Sequence, residues 1–194
     1  MKLWQRFCLW PLSFFLVIFL GTGVLLIEQN TRQVFELNLN QLSEEQKSIT
    51  EGLSWYIYTS SVRDSRRGIG KTNEYIREYM ENRPRVRGMY YLITEAGENA
   101  QEVYSNLDLE LPVMPPQEVT YTPQYKILQY GEKQFLRLSS LFTLPYQTYR
   151  AACFMDITDF VQNRSRQYRY FFGLFFVTAA VLAVGMYGIS RHLT

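Results

Sequence analysis

The chain has 194 residues, 47% of them hydrophobic and 20% charged, and its formal net charge at pH 7 is +2. A charge so close to zero gives no bulk attraction to nucleic acid, so we expect no nucleic-acid partner. One histidine and two distant cysteines leave no cluster of nitrogen and sulfur ligands for zinc. We therefore expect no metal and no other cofactor in this chain.

Two segments carry no charge and are long enough to cross a membrane. Residues 7–27 and 170–189 are uncharged over 21 and 20 positions, and a membrane-spanning helix needs about 20 apolar residues. The first segment could instead be a cleaved signal peptide, because Lys2 and Arg6 precede it and small residues lie at 21–23. The apolar run continues past those small residues, however, and is longer than the roughly 7–15 residues of the apolar region of a signal peptide. We predict two transmembrane helices, the first an uncleaved anchor.

The charges outside these segments predict the orientation. The two ends contain Lys2, Arg6 and Arg191 but no acidic residue, whereas all 18 acidic residues lie in the middle region. Positive charge beside a span is typical of the cytoplasmic side, so we expect both termini in the cytoplasm. The predicted segments are a cytoplasmic N-terminus (1–6), transmembrane helix 1 (7–27), an extracytoplasmic domain (28–169), transmembrane helix 2 (170–189) and a cytoplasmic C-terminal segment (190–194).

Cysteine and arginine positions bear on the cellular location. Cys8 lies in the first span and Cys153 in the outer domain, so no disulfide can form between them. An extracytoplasmic domain without a disulfide suits a bacterial plasma membrane better than a small secreted scaffold. Arg164, Arg166 and Arg169 lie on the outer side of the second span, against the charge rule, and we expect them to contact lipid phosphates.

The outer domain begins with a predicted long helix. Apolar residues recur at heptad spacing from Phe35 to Tyr56, and only Gln46 breaks the stripe. Such a stripe can pack against its own domain or pair with a second copy of the chain. We expect packing in the distal half and pairing near the membrane, which would make the protein a homodimer. After a polar break, a shorter helix is predicted from Thr72, as its capping residue, to about Asn82.

Five later segments are rich in Tyr, Phe, Val, Leu and Thr and are separated by turn residues such as Gly131 and Pro145. This composition predicts strands, and the short turns predict that the last three form an antiparallel meander. The predicted strands are residues 89–94, 102–106, 119–130, 133–143 and 146–157.

Two helices followed by five strands predict an α+β fold, in which helices pack against one antiparallel sheet of about five strands. The two transmembrane helices flank this domain. The order of elements resembles the extracytoplasmic PAS-like, or Cache, sensor domain. The resemblance implies that the outer domain binds an extracellular ligand, whose identity the sequence does not give.

Two arginines inside predicted strands are candidate ligand-binding residues. The simplest interpretation of strand alternation is that Arg137 and Arg150 both face solvent, because an unpaired charge facing the core is costly. If either faces the interior near Tyr91 or Tyr149, it becomes a candidate for binding a carboxylate. Tyrosine suits such a pocket because it combines an apolar ring with a hydroxyl group.

The last 45 residues carry a more specific pattern. A predicted strand ends in Asp156-Ile-Thr158, Asp159 follows, and an arginine-rich stretch and an apolar span lead to Ser190-Arg-His-Leu-Thr194. This order resembles bacterial sensor histidine kinases, in which an Asp-Ile-Ser/Thr motif ends the last sensor strand. In that family a helix then enters the second span, and a Ser-Arg-x-Leu-Thr exit leads into a HAMP linker.

The resemblance implies that Asp156, Thr158 and Asp159 relay a signal from the outer domain to the second span. It also implies a HAMP linker and a kinase domain after Thr194, so we expect this chain to be a piece of a longer protein or the product of a truncated gene. ATP, magnesium and a response regulator would belong to that kinase domain. No catalytic residue is expected here, because His192 lacks the neighbouring acid and the following proline of a phosphoacceptor site.

Three other functions remain open at this point. The same input region could control a chemotaxis or cyclic-dinucleotide output domain. The chain could also be a stand-alone membrane-anchored binding protein. A two-span channel subunit shares the topology, but neither span contains the ionisable residue that a channel would be expected to use.

Overall fold

The structure is a computed structural model that describes residues 3–63, 71–97, 101–107, 120–145 and 147–192. The chain divides into two compact units: a helical unit of Met1–Glu36 and Asp159–Thr194, and a sheet unit of Leu37–Thr158. In the described residues the elements are α1 (Leu3–Arg63), α2 (Thr72–Asn82), β1 (Met89–Glu95), β2 (Glu102–Ser105), β3 (Gln124–Tyr130), β4 (Lys133–Leu144), β5 (Gln147–Asp156) and α3 (Thr158–His192).

The five strands form one antiparallel sheet in the order β2-β1-β5-β4-β3. The predicted α+β class and the meander of β3, β4 and β5 are confirmed. Strand β5 pairs with β4 along one edge and with β1 along the other, so the meander and the β1–β2 hairpin form one sheet. The sequence did not predict the pairing of β5 with β1. The last strand in sequence is therefore the central strand in space. The predicted third strand was too long, because residues 120–123 of the described chain form no strand.

The apolar stripe of α1 packs within its own sheet unit. Leu42, Ile49, Leu53 and Ile57 are all buried, at the spacing of one helix face. Gln46 does not break this face: its side chain is buried, and its Nε2 donates a hydrogen bond of 2.9 Å to the carbonyl oxygen of Ala151 in β5. The expected packing of the distal half is confirmed, and these residues are not available to pair with a second copy.

Helix α2 has the predicted bounds, but its start differs from the prediction. The N-cap residue is Lys71, which makes no side-chain capping hydrogen bond, and Thr72 is the first helical residue. The side chain of Thr72 is buried together with Ile76 and Met80, which follow at intervals of four residues. Thr72 therefore belongs to the packed face of the helix, and the capping prediction was wrong.

A glycine allows α1 and α2 to approach closely. A Cβ atom added at Gly52 would overlap the hydroxyl end of Tyr79 from α2. The ring of Tyr56, one turn further along α1, lies 5.6 Å from the ring of Tyr79. A side chain at position 52 would have to displace the hydroxyl end of Tyr79, so the glycine permits this close approach.

Within the helical unit, α1 and α3 contact each other at several levels. The ring of Phe19 lies 5.8 Å from Phe171, and a Cβ atom at Gly23 would overlap the same Phe171 ring. Further along α1, Glu28 accepts hydrogen bonds from Arg164 at 3.3 Å and from the hydroxyl of Tyr168 at 3.1 Å. Arg164, which we expected at lipid phosphates, therefore has an acidic partner in its own chain.

Both long helices have the length and hydropathy needed to cross a membrane. Their most apolar windows have mean hydropathies of 2.2 and 2.0, and no part of either window is buried inside the protein. Exposed apolar side chains such as Phe14, Leu25, Phe176 and Val184 cover these surfaces. A lipid environment would remove that apolar area from water.

The packing of α1 predicts different effects for two leucines of the same helix. Leu42 is fully buried whereas Leu37 is 65% exposed. We expect Leu42→Ala to lower the free energy of unfolding by about 2–5 kcal/mol, because it leaves a cavity under the sheet. Leu37→Ala is the matched control and should change it by less than about 0.5 kcal/mol. Urea unfolding of the detergent-solubilised chain measures both values; equal effects would contradict this packing of α1.

Candidate functional site

Strand alternation divides the sheet into two faces with different chemistry. Residues 150, 152 and 154 of β5 point to one side, whereas 149, 151 and 153 point to the other. The register places Thr94 opposite Arg150, and Arg137 opposite Phe154. We call the side that carries both arginines the arginine face. The opposite side, which α1 and α2 cover, is the helix face.

Both candidate arginines are buried. Arg137 is 4% exposed and Arg150 is 5% exposed, so the interpretation that they face solvent was wrong. Alternation predicts a solvent-facing side only when one face of a sheet is open to water. Here six consecutive residues of β4 and six of β5 are buried, which means that both faces of these strands are covered.

The two candidate tyrosines do not join the arginines. Tyr149 precedes Arg150 in β5, so the two side chains leave the strand on opposite sides. Tyr91 pairs with Cys153 and therefore also lies on the helix face. The structure brings Arg137 and Arg150 onto one face and the two tyrosines onto the other, so the predicted combination of arginine and tyrosine in one pocket does not form.

Tyr91 belongs to a half-buried network that joins α1 to the sheet. Its hydroxyl donates a hydrogen bond of 2.9 Å to Glu45 Oε1. The same carboxylate oxygen accepts from Arg83 Nη2 at 3.0 Å, and Arg83 also donates to Ser48 and Tyr79. Burial, together with the nearby Glu45, raises the pKa of Tyr91 well above its usual value. These groups satisfy one another, which indicates a structural role.

Tyr149 joins the helix face to the start of α2. Its hydroxyl donates to Asn73 Oδ1 at 2.9 Å, and Asn73 Nδ2 donates to Glu95 Oε1 at 2.7 Å. Burial, and to a smaller extent the negative charge of Glu95, raises the pKa of Tyr149 to about 12. The tyrosine therefore stays protonated beyond pH 10, where an ordinary tyrosine ionises, and acts as a hydrogen-bond donor inside the domain.

The arginine face combines charge with apolar surroundings. Phe135, Ala152 and Phe154 form a buried cluster there. Burial lowers the pKa of the Arg150 guanidinium, although the group remains charged at neutral pH. Partly buried apolar residues complete the cluster: Tyr90, Leu92, Leu107 and Leu128.

Among the residues that the structure describes, the hydroxyl of Thr94 on the arginine face has no hydrogen-bond partner. Thr94 is 4% exposed, and its Oγ1 is buried without a partner in the structure. The register places Thr94 directly across the β1–β5 pair from Arg150. Buried polar groups in native proteins are nearly always hydrogen-bonded, so an exception needs an explanation.

The residues expected to relay a signal lie where β5 ends. Asp156 Oδ1 accepts a hydrogen bond of 2.9 Å from the backbone nitrogen of Thr158, the first residue of α3. Thr158 Oγ1 accepts one of 2.9 Å from the backbone nitrogen of Gln134 in β4. Asp159 lies in the first turn of α3, where a negative charge stabilises a helix. Asp156 therefore satisfies a backbone nitrogen in the first turn of α3.

An open groove of about 530 Å³, which the sequence did not predict, lies on the helix side of the sheet unit. Trp55 and Tyr58 are its most exposed aromatic residues, at 69% and 60%. Both lie outside the apolar stripe of α1. Large aromatic residues outside the stripe were the sequence feature from which this groove could have been predicted. The groove is lined by Thr50, Glu51, Ser54, Trp55, Tyr58 and Phe142.

Within the ranges that the structure describes, no three potential His, Cys, Asp or Glu ligands come together as a metal site. Comparison of the chain with protein-family models, curated proteins and solved structures gives no match.

The raised pKa of Tyr149 predicts a pH dependence of stability. Between pH 10 and about 12 the unfolded chain loses the tyrosine proton while the folded chain keeps it. The free energy of unfolding should therefore fall with rising pH, by about 1.4 kcal/mol per pH unit for this one group. In Tyr149→Phe this contribution disappears, so the profile should be flatter than that of the wild type.

Urea unfolding of the intact chain between pH 9 and pH 11.5 measures these profiles. Tyr130→Phe is the matched control, because Tyr130 is 40% exposed at the sheet edge and should leave the wild-type slope unchanged. Parallel profiles for the wild type and Tyr149→Phe would show that Tyr149 is not held protonated by the fold.

Proposed function

We propose that this chain is the signal-input region of a bacterial membrane-bound sensor histidine kinase. In this proposal a ligand binds to the outer domain, and the second span relays the change to a cytoplasmic kinase. The observation that carries the proposal is the position of β5. This strand holds Arg150 in the buried centre of the sheet, and only Ile157 separates its end from α3.

The architecture of the sheet unit supports a PAS-like, or Cache, identity for the outer domain. Helices precede the strands in sequence and cover one face of a single antiparallel sheet. The opposite face carries a small apolar cluster with two buried arginines, which resembles the mixture of apolar and polar groups in small-molecule sites. The central pairing of the first and last strands agrees with this identity.

The junction of β5 and α3 supports a direct relay. Asp156 and Thr158 are hydrogen-bonded to each other, and Thr158 is also bonded to Gln134 at the start of β4. The backbone nitrogen of Ile157 donates a further bond of 2.8 Å to the carbonyl of Gln134. A displacement of β5 against β4 would either break these hydrogen bonds or move the residues that form them. It would therefore act on the first turn of α3.

Helix α1 provides a second connection to the same strand. Ala151, whose carbonyl accepts the hydrogen bond from Gln46, is the neighbour of Arg150 in β5. The strand therefore contacts α1 through one face while it presents the arginine through the other. A ligand can shift such a coupled system only by binding its two states with different affinities.

In the proposed receptor both termini are cytoplasmic and two copies of the chain form a homodimer. The two long apolar helices cross the plasma membrane, and the HAMP linker follows the second. The kinase domain of the longer protein would use ATP and magnesium and would transfer phosphate to a response regulator. This chain would contribute sensing and no catalytic residue.

The coding sequence downstream of Thr194 gives the first test. We expect it to continue in frame with a HAMP linker, a phosphoacceptor histidine and an ATP-binding domain. A chemotaxis or cyclic-dinucleotide output domain would retain the sensing function but exclude the kinase. A stop codon at this position would contradict the receptor and favour a stand-alone binding protein.

The relay can be tested in the full-length receptor by substitution at the β5–α3 junction. Thr158→Ala removes the acceptor for the Gln134 nitrogen, and we expect it to change basal autophosphorylation in membranes by about tenfold, which corresponds to about 1.4 kcal/mol. Thr59→Ala is the control, because Thr59 is exposed on α1 and bonds only to its own helix. Equal activity in the wild type and both variants would contradict the relay.

A further inference from the structure

We propose that Glu28, Arg164 and Tyr168 form a latch that sets the axial register of α1 against α3. The role of the latch rests on the proposed function in one respect, because a change of this register is taken as a step in the signal. The register itself can be measured without any output domain.

The latch joins one carboxylate oxygen of α1 to two successive turns of α3. Glu28 Oε2 accepts a hydrogen bond of 3.3 Å from Arg164 Nη2 and one of 3.1 Å from the hydroxyl of Tyr168. The guanidinium carbon of Arg164 lies 6.0 Å from the centre of the Tyr168 ring, within the range of a cation–π contact. The two donors therefore contact each other as well as their common acceptor.

The latch lies where the two uncharged segments begin and end. Glu28 is the first charged residue after residues 7–27, and Arg164 and Tyr168 come shortly before residues 170–189. In the proposed topology this is the outer surface of the membrane. A hydrogen bond to a charged group is stronger there than in bulk water, because the local dielectric constant is lower.

The aromatic contacts between the helices show one antiparallel register. Phe35 of α1 lies 6.5 Å from Phe160 of α3, and Phe19 lies 6.3 Å from Phe175, measured between ring centres. Residue numbers thus rise along α1 as they fall along α3. The latch lies between these two contacts and belongs to the same register.

The apolar contacts alone would tolerate a change of that register. Phenylalanines recur one turn apart on α3, and the ring of Phe19 already contacts both of them, Phe171 at 5.8 Å and Phe175 at 6.3 Å. After a slide of one turn, about 5.4 Å, Phe19 would still face a phenylalanine. Apolar attraction has no preferred direction, so it distinguishes the two registers poorly.

The hydrogen bonds of the latch do distinguish them. Glu28 reaches two donors that are one turn apart, so a slide of one turn in either direction leaves at most one donor in reach. The ion pair is half-exposed and therefore weak enough to open. Allosteric couplings typically change an equilibrium by about 5-fold to 150-fold, so a contact of modest strength suits a switch.

Cysteine crosslinking of the intact chain in lipid nanodiscs measures the register. The chain carries Cys8→Ser and Phe19→Cys, and the second cysteine is placed at position 167, 171, 175 or 179 of α3. Cys153 is buried and can remain. With the latch intact we expect positions 171 and 175 to crosslink fastest, because both side chains contact Phe19.

Opening the latch should broaden this pattern. We expect Glu28→Gln and Arg164→Gln each to lower the preference for 171 and 175 over 167 and 179 by about fivefold or more. Tyr168→Phe, which keeps the ring and removes only the hydroxyl, should have a smaller effect in the same direction. Glu28→Arg combined with Arg164→Glu should restore the preference, because the ion pair is re-formed with reversed charges.

Glu36→Gln is the matched control. Glu36 forms an ion pair of 3.0 Å with Arg32, but both residues belong to α1, and the pair is exposed. Its loss changes the charge of α1 by the same amount as Glu28→Gln. We therefore expect the crosslinking pattern of the wild type.

Autophosphorylation of the full-length receptor in membranes then tests whether the register carries the signal. Glu28→Gln and Arg164→Gln should change the basal rate in the same direction, by about fivefold or more. The charge-reversed pair should return the rate toward that of the wild type, and Glu36→Gln should leave it unchanged.

The outcomes separate the latch from the proposed function. If the crosslinking pattern is the same in Glu28→Gln, Tyr168→Phe and the wild type, the latch is wrong. If Glu36→Gln broadens the pattern equally, the effect is one of charge and the latch is also wrong. A broadened pattern with unchanged autophosphorylation would refute its role in the signal. A broadened pattern in a chain with no kinase downstream would refute only the proposed function. Should the charge-reversed pair fail to fold, Glu28→Gln and Tyr168→Phe still decide the matter.

Discussion

The pairing of β5 with both β1 and β4 is the constraint on which the rest of the sheet unit depends. This pairing makes the last strand in the sequence the central one, and it fixes which side chains face each layer. On one face it brings the Ala151 carbonyl to Gln46 of α1. On the other it buries Arg150. A one-residue slip would exchange the two faces, so one ladder determines both the packing of the helices and the position of the candidate site.

The two faces of the sheet differ in the surroundings of their buried polar groups. On the helix face they satisfy one another: Glu45 accepts from Tyr91 and from Arg83, and Tyr149 donates to Asn73. Such networks make a packed interface specific without leaving a group to bind a ligand. The arginine face carries the buried Arg137 and Arg150 beside an apolar cluster, and among the described residues the Thr94 hydroxyl there has no hydrogen-bond partner.

The sequence predicted local features well because local features have local causes. The turn at Gly131, which has a φ of 59°, requires a residue that tolerates the left-handed region, and it correctly separates β3 from β4. Alternation alone already implies that Tyr149 and Arg150 lie on opposite faces. The burial of Arg150 and the role of Gln46 were missed because both depend on which element covers a strand. That covering is a tertiary property, which no short window of sequence contains.

The central claim is that a change at the arginine face reaches α3 through β5. Amide hydrogen exchange of the intact chain in lipid nanodiscs tests this most directly, by comparing the wild type with Arg150→Gln and Lys126→Gln. Lys126 is the control because it is exposed in β3, at the position paired with Arg137. The account predicts that Arg150→Gln alters exchange along β5 and also in residues 158–162 at the start of α3, whereas Lys126→Gln leaves residues 158–162 unchanged. Changes confined to the strands, with the first turns of α3 unaffected by Arg150→Gln, would contradict it.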